Sequence, residues 1–372
     1  MGLRVAVIGC GYWGSKHARV FHSLEEVDEV VHVDGRHDRL RALGRAFPGT
    51  RECTTVQNAL PFVDAVVVAT PPTSHVPLAL RALAAGKHVL IEKPFATSSA
   101  DGLRLIAAAE EAGCVLLAGH TFEYNAAVWK LRELVQRGEL GDIYYIDSAR
   151  LNLGLYQSDV NVVTDLAPHD ISIINHVVGR GPDAVEAWGS RHAHRRFEDV
   201  AYLRLFYEDV QLSANIHVSW LDPCKVRRMT LVGSRKMAVY DDLAAEDRVR
   251  IHDKGVDPGT DSEDLTQAPF SYRYGDITVP FLAAHEPLAV QDRHFVRCVL
   301  NGDRPHTDGW NGLAVVEVLE ALQLALREGR RVELAEVRGR HRPPSPAPLA
   351  RTTLYPDDGT ALSVVSLAQD TL

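Results

Sequence analysis

"VAVIGCGYWGSKHA", residues 5–18, decides how the chain begins to fold. An apolar run ends in Gly9, Gly11 and Gly14, in G-x-G-x-x-G register, and an amphipathic stretch follows. In such a turn the first glycine permits the tight reversal and the second lets a pyrophosphate approach the backbone. The third allows strand and helix to pack closely. The phosphates are expected on the helix N-terminus, where free N–H groups and the dipole favour negative charge, with Tyr12 and Trp13 beside them. Asp34 lies twenty residues past Gly14, at the position where an acid accepts from the ribose 2′-OH. That favours NAD. Arg36 and Arg39 follow closely, and either can instead face a 2′-phosphate, so NADP stays open. The plain alternatives are a glycine turn in another α/β protein and a strand-end turn at Asp34.

Working outward, Leu3–Ile8, Val30–Val33, Ala65–Ala69, His88–Ile91 and Val115–Ala118 read as strands, alternating with helical segments such as Val76–Ala85 and Asp101–Ala112. Strands this apolar imply a parallel sheet covered on both faces, a doubly wound Rossmann arrangement. From about Asp142 the pattern becomes longer, alternating strands: Tyr144–Leu153, Ala184–His192, Val200–Tyr207, Gln211–Trp220, Arg228–Val232 and Met237–Tyr240. One helix, Asp170–Val178, interrupts a mostly antiparallel second sheet. Residues 252–280 read as a polar excursion, and helices resume at Pro287–Leu300 and Gly312–Gly329. The expected α/β organisation is a dinucleotide-binding domain over 1–123, a second, α/β domain over 124–333 that leaves room for substrate, and a Pro-rich linker and tail over 334–372.

The chain has 372 residues, 46% hydrophobic and 24% charged, with a net charge of −9 and no long run of either sign. Nucleic acid and anionic membranes are therefore not expected as main partners. Cys10, Cys53, Cys114, Cys224 and Cys298 form no C-x-x-C pair, which argues against a disulfide framework or a zinc knuckle and for a reducing, cytoplasmic setting. No apolar run approaches the roughly 18–20 residues that span a bilayer, and the opening residues lack a signal-peptide pattern. A soluble protein is expected.

"NVVTDLAPHD", 161–170, places Asp165 four residues before His169. It reads as a helix start, capped by Thr164 or Asp165 with Pro168 in the first turn. It equally reads as an acid and an imidazole on one helical face. Together with "DAVVVATPPTSHVPLALRALAAGKHVLIEKPFATS" (64–98), the "DLAPHD" segment (165–170) resembles the Gfo/Idh/MocA oxidoreductases, and the resemblance runs from Val5 to about Gly329. It implies a Rossmann domain joined to an α/β domain on an open sheet. It further implies hydride transfer between nicotinamide and a secondary alcohol or ketone of a sugar or cyclitol, and a homodimer or homotetramer assembled through that sheet. It makes Lys93 of "EKP" the active-site lysine, with Asp165 and His169 as the family's D-x-x-x-H pair. Thr70, Pro71 and His75 become the loop over the cofactor, and Glu92 and the turn at Gly119 and His120 flank the nicotinamide. "GHTFEYN" (119–125), "RLNLGLYQSDVNVVTDLAPHDISI" (150–173) and "VSWLDPCKVRRMTLVGS" (218–234) are similar to the branch acting on nucleotide-linked hexoses. Several members of that branch oxidise the 3-hydroxyl and make a ketone for an aminotransferase.

The chemistry suits the residues. Oxidising a secondary alcohol needs a base, and histidine, with an ordinary pKa of about 6.5, suits working pH. That role falls to His169. Asp165 orients the imidazole or binds substrate, and Lys93 stabilises developing alkoxide charge. No metal is expected, because no zinc-ligand spacing is present. Tyr124, Asn125, Arg150, Asn152 and Tyr156 are candidate substrate contacts beside Lys93, Asp165 and His169. "RHAHRR", 191–196, is the densest basic cluster; it either meets a nucleotide diphosphate or is a solvated loop. The rival readings are a free-sugar or inositol-type dehydrogenase, and a non-catalytic nicotinamide-binding sensor or assembly subunit. The last predicts loss of the lysine or histidine, and neither is lost.

Overall fold

The computed structural model describes residues 2–157, 160–258 and 270–338. Most of the expected linker and tail, from residue 339 on, lies outside the described residues. The first sheet comprises β1 (Leu3–Ile8), β2 (Val27–Val33), β3 (Arg51–Cys53), β4 (Ala65–Val68), β5 (His88–Glu92) and β6 (Leu116–Gly119). All six run parallel in the order β3-β2-β1-β4-β5-β6. Around it pack α1 (Tyr12–Ser23), α2 (His37–Ala46), α3 (Val56–Ala59), α4 (His75–Ala84) and α5 (Ser99–Ala112). Every residue of β4, AVVV, is fully buried, as a β-branched strand covered on both faces should be. The strand order reverses between β1 and β4, so a crevice opens beyond their carboxyl ends, where ligands of such sheets bind.

The second unit begins with α6 (Ala126–Gln136), capped by Asn125, whose side chain accepts from the N–H of Ala127. It continues through β7 (Ile143–Leu153), α7 (Val162–Val178), β8 (Ala184–Ser190), β9 (Val200–Tyr207), β10 (Leu212–Ser219), β11 (Leu221–Gly233), β12 (Met237–Asp241), β13 (Val249–Pro258) and β14 (Phe270–Thr278). Then come α8 (Pro287–Asn301), α9 (Gly309–Glu328), β15 (Val332–Glu333) and α10 (Ala335–Arg338). The sheet order is β14-β13-β12-β11-β7-β10-β9-β8-β15, antiparallel except for the β7–β10 pair. Its inner face packs on α6, α7 and α9. On the other face the cross-strand pair Trp188 and Tyr202 stands exposed.

Two local expectations are corrected. The polar excursion at 252–280 carries strands β13 and β14; only residues 259–269 of it lie outside the described residues. β14 is the sheet edge and almost wholly exposed, so no buried face imposes an apolar alternation that could be read. Helix α7 starts at Val162 instead of Asp170, with Asn161 as its cap in place of Thr164 or Asp165, and Pro168 lies in its interior. Burial of Val162, Val163 and Ala167 in the core offsets the hydrogen bond that Pro168 cannot donate.

After the second sheet the chain returns to the first. Leu288, Ala289, Phe295 and Val296 of α8 join Val5, Val7 and Phe21 in one core. Helix α9 serves both halves: Leu313 and Val316 pack with Val89 and Ile91, while Val315, Val318 and Leu322 enter the core under the second sheet. No described helix is long and apolar enough to cross a membrane.

Candidate active site

The turn from β1 into α1 is shaped for a close-lying ligand. Gly9 has φ +93°, and a Cβ there would lie 2.6 Å from the Ala69 carbonyl oxygen; one on Gly14 would collide with the Gly9 carbonyl. Gly11 caps α1 without any side-chain hydrogen bond, and Tyr12 and Trp13 are exposed beside it. This cradle, closed to any side chain at Gly9 and Gly14, fits a pyrophosphate on the helix N-terminus. At the end of β2, Asp34 Oδ2 accepts from Cys10 N (2.8 Å) and Oδ1 from Arg36 N (2.8 Å). The Arg36 guanidinium turns to Asp38, and Arg39 approaches Asp34 at 3.4 Å. The carboxylate keeps acceptor capacity for a ribose hydroxyl, and its charge opposes a 2′-phosphate.

The loops after β4 and β5 form the opposite wall. Ser74 Oγ is 2.7 Å from Thr70 Oγ1 and from the Pro71 carbonyl. The buried His75 ring bridges the carbonyls of Thr70 (2.7 Å) and Pro94 (2.9 Å), tying the two loops together. The Lys93–Pro94 peptide is cis. Glu92 is buried, with Oε2 accepting from Lys93 N (3.1 Å) and Oε1 2.9 Å from His17 Nε2. The other ring nitrogen of His17, which is 0% exposed, is 2.9 Å from Asp292 of α8. Burial alone would lower His17, but Asp292 and then Glu92 outweigh it and raise the imidazole to about 10. A buried positive charge thus sits between two carboxylates under the lysine loop.

Lys93 Nζ donates to the Asp165 carbonyl (3.0 Å) and to Asp165 Oδ1 (3.2 Å). Asp165 Oδ2 accepts from the indole N–H of Trp220 (3.0 Å). One turn along α7, the partly buried His169 packs edge-on to Phe122, with ring centroids 5.1 Å apart. Burial holds the His169 imidazole well below its ordinary value, and the positive charges of Lys93, Arg150 and Arg227 add to the effect. The ring is therefore neutral at pH 7, and its nitrogens have no hydrogen-bond partner among the described residues. A free, neutral imidazole beside a lysine is equipped to accept a proton.

Arg150 is buried against Asp170 (2.6 Å), with its guanidinium over the Phe122 ring at 4.8 Å. Asn152 Oδ1 is buried without a hydrogen-bond partner among the described residues. Tyr156 packs on Trp220, with centroids 5.3 Å apart. Tyr124 and Asn125 are occupied elsewhere. The Tyr124 hydroxyl meets Thr307 at 2.9 Å, and Asn125 caps α6 and reaches Tyr240. His120 Nδ1 is 2.7 Å from Asn311 Oδ1. Below it the buried Glu123 accepts from Asn311 Nδ2 (3.1 and 3.2 Å), and its oxygens lie near His306 (3.2 Å) and His176 (3.5 Å). This cluster joins the turn after β6 to α7 and to the segment before α9.

Sequence reading did not single out His17, Asp292, Trp220, Phe122 or Arg227. Trp220 stands in the quoted "VSWLDP", but nothing in that stretch reveals that its N–H reaches Asp165. His17 and Asp292 are separated by 275 positions and show no local pattern.

Two family descriptions match the chain: an oxidoreductase family with an NAD-binding Rossmann fold over residues 3–120, and the GFO/IDH/MocA C-terminal domain over 128–239. The D-apiose dehydrogenase of Paraburkholderia graminis is 27% identical over 343 residues, covering 88% of this chain and 89% of that protein. The UDP-N-acetylglucosamine 3-dehydrogenase of Acidithiobacillus ferrooxidans is 32% identical over 193 residues, covering 50% and 58%. The crystal structure of GenD2 from gentamicin A biosynthesis, in complex with NAD, is 28% identical, with a TM-score of 0.75 over 89% of this chain and 96% of that one. With these matches, and with a glycine cradle, an acid at the end of β2 and a lysine beside a neutral histidine, the chain belongs to the Gfo/Idh/MocA family of NAD-binding oxidoreductases.

Proposed function

We propose that the protein interconverts a secondary alcohol and a ketone on a sugar, with C3 of a nucleotide-linked hexose as the reacting carbon and a 3-keto sugar for an aminotransferase as the product. The observation that carries this reading is the neutral His169 beside the Lys93–Asp165 pair at the switch-point crevice. His169 takes the hydroxyl proton as the carbon–oxygen double bond forms. Lys93 Nζ, held by the Asp165 carbonyl and carboxylate, stabilises the negative charge that develops on that oxygen. NAD, when bound, supplies the acceptor for the hydride that leaves the same carbon. In reduction the proton returns from His169 or Lys93. Lys93, Asp165 and His169, with Arg150, Asn152 and Tyr156 around them, form the substrate side of the site. Gly9, Gly11, Gly14, Asp34 and the Thr70–His75 loop form the cofactor side.

The relative that acts on UDP-N-acetylglucosamine at position 3 supports the nucleotide-sugar reading. The D-apiose dehydrogenase, matched over most of both chains, supports a second reading, a free sugar as substrate. The exposed aromatic face around Trp188 and Tyr202 supports a homodimer or homotetramer formed through the open sheet. The test is absorbance of reduced nicotinamide with NAD⁺ and NADP⁺ separately, against UDP-glucose, UDP-N-acetylglucosamine, dTDP-hexoses, free glucose and myo-inositol. An aminotransferase is added to draw off ketone. Turnover of nucleotide sugars alone is the expected result, and turnover of free polyols alone overturns the reading.

A further inference from the structure

The loop between β8 and β9 carries the basic cluster Arg191–Arg196, and it is held from within. Asp199, 0% exposed at the start of β9, accepts the backbone N–H groups of His192 (3.0 Å), Ala193 (2.7 Å) and His194 (3.1 Å). His194 Nδ1 accepts from the N–H groups of Arg196 (3.1 Å) and Phe197 (2.9 Å). A surface loop rarely has so many of its backbone donors claimed by its own side chains, and the result is a fixed conformation rather than a solvated coil.

The loop is coupled to the catalytic crevice. The His194 ring stacks on Tyr156 with an interplanar angle of 9°, Tyr156 packs on Trp220, and the Trp220 indole donates to Asp165. The Trp220 backbone N–H donates to the Asp199 carbonyl at 2.9 Å. A continuous file of side chains therefore runs from the loop to the residue that holds Lys93. Arg191 has a carboxylate neighbour, Glu198 at 3.7 Å. Arg195 and Arg196 are exposed and have no carboxylate partner among the described residues.

We infer that this loop is a subsite for an anionic group carried by the substrate, a phosphate or diphosphate ester joined to the reacting sugar, recognised by Arg195 and Arg196. The inference rests on the sugar reading above and adds what lies beyond the reacting ring. Guanidinium forks bind phosphate oxygens in pairs, and a preordered loop lowers the cost of holding them in place. A net charge of −9 disfavours an anion approaching most of the surface, so Arg195 and Arg196, the latter with its guanidinium over the Phe197 ring, carry much of the local attraction on the loop that His194 ties to the crevice.

The test is calorimetric titration of UDP and of inorganic pyrophosphate into the full chain saturated with NAD⁺, so that the cofactor cradle is filled. The wild type is compared with Arg195→Ala/Arg196→Ala and with Arg195→Lys/Arg196→Lys. Charge-assisted contacts of this kind are each worth roughly tenfold in affinity, so the alanine pair should bind both probes at least about 30-fold more weakly. The lysine pair should fall between, because it keeps the charge and loses the fork. UDP binding more tightly than pyrophosphate identifies a nucleotide diphosphate as the ligand; equal binding identifies the phosphate ester alone. Equal affinity in wild type and alanine variant, or no binding of either probe to the wild type, overturns the subsite. The titration does not depend on turnover. A protein that oxidises only uncharged sugars would refute the nucleotide-sugar function, while the loop would stand or fall on pyrophosphate alone.

Discussion

Replacing His17 by glutamine removes the positive charge between Glu92 and Asp292 and leaves two buried carboxylates facing a neutral amide. The cost can be worked from the imidazole itself. A folded value of about 10 against an unfolded value of about 6.5 corresponds to roughly 5 kcal/mol when both states are fully protonated. At pH 7 the unfolded histidine is already mostly neutral, which leaves about 4 kcal/mol. Removing one partner of a buried pair costs about 3–5 kcal/mol by an independent route, so the two agree. The sign follows from the direction of the shift. A raised folded value means the stabilisation is complete below about pH 6.5 and is lost as the pH climbs through about 10. Thermal melts of wild type and His17→Gln from pH 6.5 to 10 measure this directly. At roughly 1.3 °C per kcal/mol for a chain of this size, the gap should be about 5 °C at pH 7 and shrink to about 0.5 °C at pH 10. A gap that stays constant across that range, or no gap at pH 7, refutes the reasoning.

Lys93→Ala and His169→Ala should each keep NAD binding, measured by quenching of protein fluorescence, and lose turnover by about 10²–10⁴-fold; near wild-type rates in both would dismiss the site assignment. Because burial depresses His169, kcat/KM should stay level from pH 8 down past pH 6.5 and fall only as the pH drops through the lowered value. An acid limb centred at or above 6.5 would count against His169 as the base. Trp220→Phe loses the hydrogen bond to Asp165 and half of a fully buried indole, so kcat should drop roughly tenfold on folded protein, with a lowered melting temperature from the cavity; an unchanged kcat would leave Trp220 as packing only. Asn161→Ala removes the α7 cap and the contacts to Glu198 and Gln323, which should cost about 1–2 kcal/mol in urea unfolding; a loss below about 0.5 kcal/mol would mean the cap is idle.

The parts of this fold that were legible in the sequence are those where one local rule decides the outcome. Five strands of the first sheet read as apolar runs because both their faces are covered, whereas the short, largely exposed β3 did not read at all, and the turn at Gly9–Gly14 read clearly because Gly9 and Gly14 leave no room for a side chain. β14 was hidden because an exposed edge strand has no buried face to print a period. The start of α7 was misjudged because Pro168 is a local breaker, while the burial of Val162 and Val163 that overrides it is tertiary. In the proposed site, Lys93, Asp165 and His169 were singled out by motif. Trp220, His17 and Asp292 act through contacts across 55 to 275 positions, and such pairings exist only once the chain has folded.

The return of α8 to the first sheet bears on how the protein is made. A ribosome releases the nucleotide-binding half long before residues 287–301 have emerged. Until they do, Phe21 and Val5 lack the apolar side chains that cover them, and His17 has only Glu92 for company. A nascent or recombinant fragment ending near residue 125 would therefore display a sticky face and a half-neutralised charge, the features that recruit chaperones or drive aggregation. Anyone dissecting this enzyme into halves would do better to graft the α8 segment onto the first half than to cut where the sequence changes character.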